Sequence, residues 1–308
     1  MTERVLIGAD VSDRIRFGNP TWPVTRLTLN VVLEGPRSGP LPEPPWLPRR
    51  ERPVYGYRRG AYTDGVEYKG AEAPVRQDLR EAHRFILDHV RSPGTWWTGA
   101  ERAAIAAEAR SATRCALCRE RRKHLSSDAV QGRHDGPHAL PENVVDTVHR
   151  IRTDPARLSR SWFDRVIAGG LEVTRYVELV SVTSLMAGLD YFARALGVEL
   201  LALPPPRPSE PSRHRPADAK AGGAWVPMID TADVAGPEAD LYGGSEFVPN
   251  IVRALSLVPD EVRVLRRSND AHYVPLAQIP DPTYHRALAR PQMELIAARV
   301  SALNQCFY

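Results

Sequence analysis

The sequence has little cysteine and no long apolar run, and each absence excludes a class of protein. Three cysteines in 308 residues are too few for a structural disulfide framework in a chain of this size. No stretch of apolar residues is long enough to cross a bilayer. The first residues, MTERVLIGAD, lack the basic and apolar regions of a secretory signal peptide. We therefore expect a cytoplasmic protein that does not associate with membranes.

A large excess of charge of one sign is also lacking. The formal net charge is +4, because 41 Lys and Arg residues stand against 37 Asp and Glu residues. So small an excess of scattered arginine is not the pattern of a nucleic-acid-binding protein. Hydrophobic residues make up 43% of the chain and charged residues 25%, a balance typical of globular proteins. We expect a globular protein without a nucleic-acid partner.

The pattern along the chain predicts an all-α fold in four segments. Residues 1–75 are dense in proline and arginine and have weak periodicity, which predicts a largely irregular extension. Apolar residues recur at helical spacing over 76–200, the first predicted helical domain, and again over 247–308, the second. A proline-rich linker and loop covers 201–246. No segment has the pattern of a parallel sheet.

Local signals predict where the helices begin. Thr98 is followed three residues later by Glu101, the pattern of a capping box, and it begins a helix that runs to Cys115. Ser159 has the character of an N-cap, and Gly197 that of a helix end. The other predicted helices cover residues 79–90, 141–151, 159–169, 172–196, 249–257 and 292–305.

The pair Cys115-Ala-Leu-Cys118 is the strongest chemical feature. A thiolate is the reactive species, and neighbouring cations lower the pKa of a thiol from about 8.5. On one face of a helix, one sulfur could resolve a sulfenate on the other. The plain alternative is two small buried apolar side chains. The arginines near the pair are Arg114, Arg119, Arg121 and Arg122. The candidate proton carriers are Glu101, Glu108, Glu120 and His124.

The C-terminal segment repeats this unit in part. Setting Cys115 over Cys306 superposes Ile105 on Ile296 and aligns the alanines that follow them. The alignment predicts one helix-and-thiol unit used twice, the second copy truncated before its second cysteine. A UGA codon for selenocysteine after Tyr308, read as a stop, would explain the truncation. A frameshift, a pseudogene and a deliberate truncation are the alternatives.

Three segments resemble one known superfamily. TWWTGAER (95–102), CALCRER (115–121) and ELIAARVSALNQCFY (294–308) are similar to the alkylhydroperoxidase-D and carboxymuconolactone decarboxylase superfamily, in particular to its peroxidase-related two-domain branch. The resemblance covers roughly residues 76–200 and 247–308. It implies two helical repeats, an oligomer, and the reduction of hydroperoxides through a dithiol/disulfide cycle without a cofactor. The implied partners are a hydroperoxide substrate and a dithiol electron donor.

The resemblance also implies site residues. The family motif is a Glu, then Cys-x-x-Cys, then a His. Glu294 and Cys306 match it in the second repeat, and Cys115 and Cys118 match it in the first. The first repeat departs from the motif, because Glu101 lies half a turn from the matching position and His124 lies further along the chain than the family histidine. Which cysteine attacks stays open. The candidate catalytic residues are Cys115, Cys118, His124, Glu101, Glu294 and Cys306.

A metal site is the alternative interpretation of the same cysteines. Cys115 and Cys118, followed by His134 and His138, satisfy the general two-cysteine, two-histidine spacing of zinc sites. Pro137 between the histidines excludes the helix on which a ββα zinc finger places them. His149, on a predicted helix, is expected to be a half-buried imidazole without a metal. A third possibility is an inactive fragment, in which the first repeat is only a scaffold.

Overall fold

The structure, a computed structural model, describes residues 66–245 and 247–303; most of the predicted extension (1–65) and Cys306 lie outside the described residues. All regular elements among the described residues are helices, which confirms the all-α prediction. The β-type pairing in this part of the chain is one isolated bridge, Lys220 to Met228. The α-helices are α1 (Gln77–Arg91), α2 (Gly99–Ser111), α3 (Ala116–Arg121), α4 (Glu142–Thr153), α5 (Arg160–Ala168), α6 (Val173–Ala195), α7 (Asn250–Arg253), α8 (Pro259–His272) and α9 (Arg290–Leu303).

The helices begin and end where local hydrogen bonds allow. The Thr98 hydroxyl accepts from the backbone N–H of Glu101 at 3.2 Å, and the Glu101 carboxylate accepts from the N–H of Thr98 at 2.8 Å. The predicted capping box of α2 is therefore confirmed. The Ser159 hydroxyl accepts from the N–H of Trp162 at 3.2 Å and begins α5 as predicted. Gly197 follows α6 with a φ of +69°, a conformation that favours glycine.

Helix α6 forms the centre of the core. Helices α1, α2, α4 and α8 all pack against it. Leu179, Val182 and Met186 of α6 are fully buried, and they belong to one apolar cluster with Ile105 of α2 and Val148 of α4. Burying such a side chain stabilises a fold by about 1.5–3 kcal/mol. Packing on α6 and on each other therefore fixes the mutual positions of α2 and α4.

The structure differs from the prediction around residue 255. The sequence predicts one helix over 249–257, whereas α7 ends at Arg253 and a longer helix, α8, spans Pro259–His272. The sequence of α8, PDEVRVLRRSNDAH, has few apolar residues, so its periodicity is weak. Its packing against α1 supplies the stability that its own sequence does not. The signal that could have revealed it is Pro259 at the first position followed by two acidic residues.

The predicted domains are in contact. The described residues belong to one compact unit, in which α8 packs against α1. The predicted linker also bonds to this unit, because the backbone N–H of Arg207 donates to the carbonyl of Arg91 at 2.8 Å. The division into two repeats of one helical unit stays a prediction. Within 66–245 and 247–303, no helix has the length and apolar character needed to span a bilayer.

A buried ion network joins four helices. The Arg102 guanidinium of α2 is fully buried and donates to Glu178 of α6 at 2.5 Å and to Glu261 of α8 at 3.0 Å. His89 of α1 lies 3.0 Å from the Glu261 carboxylate. Burial alone would raise the pKa of Glu261, but His89 and Arg102 lower it to about 2. Each of these charges depends on its partners, because an unpaired charge in the interior is strongly destabilising.

A chain of hydrogen bonds connects α1 to the end of α8. The carbonyl of Ser268 can only accept, so the His272 Nδ1–H donates to it at 2.8 Å. The Nε2 atom of His272 then accepts from the Nε2–H of His83 at 2.7 Å. The Nδ1 atom of His83 accepts from the Tyr68 hydroxyl at 2.6 Å. Both rings are neutral in this arrangement. A proton added to either ring would occupy a nitrogen that now accepts a hydrogen bond.

We expect the fold to lose stability as the pH falls from 6.5 toward 4. Burial and, secondarily, the nearby His272 lower the pKa of His83 from 6.5 to about 4. The pKa of His83 is lower in the folded than in the unfolded protein. The contribution of neutral His83 to stability is therefore complete above the unfolded pKa. It is lost as the pH falls toward the folded pKa, by at most about 3 kcal/mol. Denaturant unfolding of the wild type and His83→Gln at a series of pH values measures it. Equal pH dependence in the two proteins would contradict the prediction.

Candidate metal centre

Four side chains that can ligate a metal converge at one point. Ligand atoms of Cys115, Cys118, His134 and His149 all lie within 4.8 Å of one another. The Nδ1 atom of His134 is 3.5 Å from the Cys115 sulfur and 3.7 Å from the Cys118 sulfur. The Nδ1 atom of His149 is 3.1 Å from the Cys118 sulfur. Both cysteines are free and buried.

The break between α2 and α3 positions the two sulfurs. The sequence predicts one helix up to Cys115, but α2 ends at Ser111 and a 3₁₀ turn, Ala112–Arg114, follows. Cys115 has an extended backbone, φ −61° and ψ 129°, and is the N-cap of α3. Cys118 lies in the first turn of α3, so both sulfurs come close to His134. The pair thus lies at the beginning of a short helix and not along one face of a long one.

A carboxylate fixes the orientation of each histidine. Glu108 of α2 lies 2.7 Å from Nε2 of His149, and Asp146 of α4 lies 3.0 Å from Nε2 of His134. A carboxylate accepts, so each Nε2 carries a proton, and in the neutral form of each ring Nδ1 presents a lone pair toward the sulfurs. Carboxylate–histidine pairs of this kind are the usual second layer of a metal site. Two such pairs directed at one point therefore distinguish this cluster from an ordinary group of buried polar side chains.

The distances fit a tetrahedral ion. Zinc bonds of about 2.3 Å to sulfur and 2.0–2.1 Å to nitrogen place tetrahedral S and N ligands about 3.5 Å apart. Three of the four sulfur–nitrogen distances of the centre, 3.1, 3.5 and 3.7 Å, lie around this value, and the fourth is within 4.8 Å. Two thiolates and two imidazoles are also a common ligand set of structural zinc sites.

Charges at the centre favour the thiolate. Burial raises the pKa of the Cys115 thiol, but backbone N–H groups and the ring of His134 outweigh it, so the pKa is lowered. Burial lowers the pKa of His134, but hydrogen bonds to Asp146 and the two cysteines raise it to about 10. Burial raises the pKa of Asp146, and its bonds to His134 and Arg121 lower it to about 2. Without a metal, these shifts together favour the protonated ring of His134 and the ionised sulfur of Cys115.

One predicted ligand is replaced. Three of the four predicted zinc ligands, Cys115, Cys118 and His134, come together, but the fourth place belongs to His149. His138 instead lies 3.1 Å from the second oxygen of Glu108. His149 was expected to be a half-buried imidazole; its ring is fully buried and lies 3.1 Å from the Cys118 sulfur.

Of the predicted proton carriers, Glu108 contacts His149 of the centre, whereas the others lie elsewhere. His124 is about half exposed and lies 3.3 Å from Glu120. Glu101 caps α2 and accepts from Arg175 at 2.8 Å. Glu294 accepts from the Tyr273 hydroxyl at 2.6 Å. None of these contacts joins Cys115 or Cys118, and Cys306 lies outside the described residues.

Only the geometry of the candidate metal centre indicates a function for the chain. The chain matches no family model, no curated protein and no solved structure. The resemblance to the alkylhydroperoxidase-D superfamily therefore stays a prediction. The side chains around Cys115 and Cys118 therefore carry the functional proposals.

Proposed function

We propose that this chain is a helical metal-binding protein that holds one Zn²⁺ ion through Cys115, Cys118, His134 and His149. The observation that carries the proposal is the convergence of two sulfurs and two Nδ1 lone pairs within 4.8 Å. Thiolates and imidazoles in a tetrahedral set select zinc over the harder cations, which prefer oxygen ligands.

The ion would be structural. Catalytic zinc keeps an open position for water or substrate, whereas a structural site has four protein ligands. All four ligands here are nearly or fully buried. The apolar cluster around the cysteines is small, consisting of Cys115, Leu117 and Cys118 with Val130 beside them. A zinc ion would supply the cross-link between α3, the loop at His134 and α4 that this cluster is too small to provide.

Metal content and cobalt spectra test the proposal. We expect the purified full chain to retain one zinc ion after dialysis, measured by elemental mass spectrometry. Replacement with Co²⁺ should give the intense d–d bands of a tetrahedral site and thiolate-to-cobalt charge-transfer bands. Cys115→Ser should weaken the charge-transfer bands. Protein that takes up neither ion under reducing conditions would rule out the metal centre.

A second candidate is the thiol-dependent reduction of hydroperoxides. The observation that favours it is the position of Cys115 at the start of α3, beside the cationic His134, which lowers the thiol pKa although burial raises it. The Cys115 thiolate would attack the O–O bond and release an alcohol after protonation, leaving a sulfenic acid. The Cys118 thiol would then form the disulfide and release water, and a dithiol donor would reduce it. Cytoplasmic location and assembly into an oligomer belong to this proposal.

Peroxide consumption separates the two candidates. A peroxidase would consume an alkyl hydroperoxide with a dithiol donor, and mild oxidation would link Cys115 to Cys118, detected by mass spectrometry. Cys118→Ser should then abolish turnover. Turnover that persists in Cys118→Ser, or a pair that never forms a disulfide, would exclude this candidate and leave the metal proposal intact.

A further inference from the structure

A cavity lies between α4 and α5, beside the metal centre but separate from its ligands. Its volume is about 370 Å³, within the range of small-molecule pockets. Arg150 of α4 and Trp162 of α5 line it, together with Arg121 of α3 and Arg165 of α5. Asp128 and Asp146 are the acidic residues of the lining, so three guanidinium groups stand against two carboxylates. The cavity therefore carries a net positive charge.

Two of the cations lie deep in the cavity wall. The side chains of Arg121 and Arg150 are 11% and 6% exposed, whereas that of Arg165 is 56% exposed. Arg150 donates through one nitrogen to Asp128 at 2.9 Å, and its buried Nε–H has no hydrogen-bond partner among the described residues. A buried donor without a partner is costly. Arg150 thus has capacity for a further acceptor.

The acidic partner of Arg150 can be displaced. Asp128 lies on the short turn Ser127–Ala129, and its side chain is 52% exposed. It accepts from Arg150 and also from Arg165, at 2.6 Å. An incoming oxyanion would compete with this half-exposed carboxylate for the same two guanidinium groups. Trp162 supplies an apolar part of the lining. Its ring is nearly buried, and the Arg150 guanidinium carbon lies over it, 5.7 Å from the ring centroid.

We propose that this cavity binds a small organic anion, with Arg150 as the principal contact and Trp162 against the body of the ligand. Guanidinium groups recognise carboxylate and phosphate through paired, charge-assisted hydrogen bonds. The ligand class is therefore a small planar molecule that carries a carboxylate or a phosphate. The site is distinct from the proposed zinc centre, although Asp146 lines the cavity and also lies beside His134.

Calorimetric titration of the zinc-loaded full chain tests the proposal. The probes are benzoate, inorganic phosphate and benzamide, which is the neutral counterpart of benzoate. We expect saturable binding of at least one anion with a dissociation constant below about 1 mM, and much weaker binding of benzamide. Binding of benzoate alone assigns the cavity to carboxylates, and binding of phosphate alone assigns it to phosphates. No saturation by either anion, or equal binding of benzamide, would overturn the proposal.

Paired variants distinguish binding in the cavity from attraction by the overall charge of the protein. Arg150→Gln should weaken anion binding by about tenfold or more, whereas Arg160→Gln, with the same change in net charge, should leave it within about twofold. Arg160 is exposed on α5 and pairs with Asp164. Asp128→Asn should strengthen binding because it removes the competing carboxylate, while Asp164→Asn should not.

The Asp128 and Asp164 variants keep the test decisive if Arg150→Gln fails to fold. Both aspartates are about half exposed, and an asparagine at position 128 keeps a side-chain oxygen that can accept from Arg150, so we expect both variants to fold. Equal effects of Asp128→Asn and Asp164→Asn would reject the cavity as the binding site. Zinc content measured on the same samples separates this outcome from a failure of the metal proposal.

Discussion

His149→Ala should abolish stoichiometric zinc binding, whereas His138→Ala should leave the ion in place. The reason is that Nδ1 of His149 lies 3.1 Å from the Cys118 sulfur, while the ring nitrogens of His138 contact Glu108 and the carbonyl of His134. Structural zinc sites contribute about 10–16 kcal/mol of binding free energy to folding, so His149→Ala should also lower the unfolding midpoint strongly. Elemental analysis and thermal unfolding, with and without a chelator, measure both effects.

A rescue variant separates a ligand from an ordinary core residue. His149→Cys would give a three-cysteine, one-histidine set, which also binds zinc. It should recover zinc content that His149→Ala loses, although the new side chain is smaller than the imidazole. Glu108→Gln should keep the ion but weaken its affinity by about 10–100-fold, because Glu108 orients His149 without touching the metal. Zinc retained in His149→Ala, or lost in His138→Ala, would show that the fourth ligand has been assigned to the wrong histidine.

Arg102→Met should destabilise the fold by about 3–5 kcal/mol. Arg102 is fully buried between Glu178 and Glu261, so its removal leaves two carboxylates close together in the interior. Burial and the charge of Glu261 already raise the pKa of Glu178 against the influence of Arg102. We expect Glu178 to become protonated in the variant, which limits the loss. The free energy of unfolding from denaturant titration is the measurement.

A surface pair provides the matched control. Arg160→Met removes a cation whose partner, Asp164, is exposed, and it should cost less than about 1 kcal/mol. The double variant Arg102→Met/Glu178→Gln should be more stable than Arg102→Met, because it removes one of the stranded carboxylates. A cost for Arg102→Met no larger than that of Arg160→Met would mean that the buried network does not stabilise the fold. The same conclusion would follow if Glu178→Gln brought no recovery.

Signals within a few residues of each other were sufficient to predict much of the architecture. The capping box of Thr98 and Glu101 and the N-cap at Ser159 begin helices where the sequence predicts them. These features are local, because a side chain caps the N–H groups of its own first turn. Helix α8 was missed for the opposite reason. Its sequence is mostly polar, and it is stabilised by packing against α1, which lies far away in the chain.

The sequence by itself determined the all-α fold and singled out Cys115 and Cys118, since two thiols three residues apart become neighbours in a helical turn. Only the tertiary structure decided which histidine completes the centre. Spacing favours His138, but packing of α4 against α2 brings His149 to Cys118 and Glu108 to His149. That choice depends on how two helices pack, and residue spacing within one segment carries no information about the contact between them.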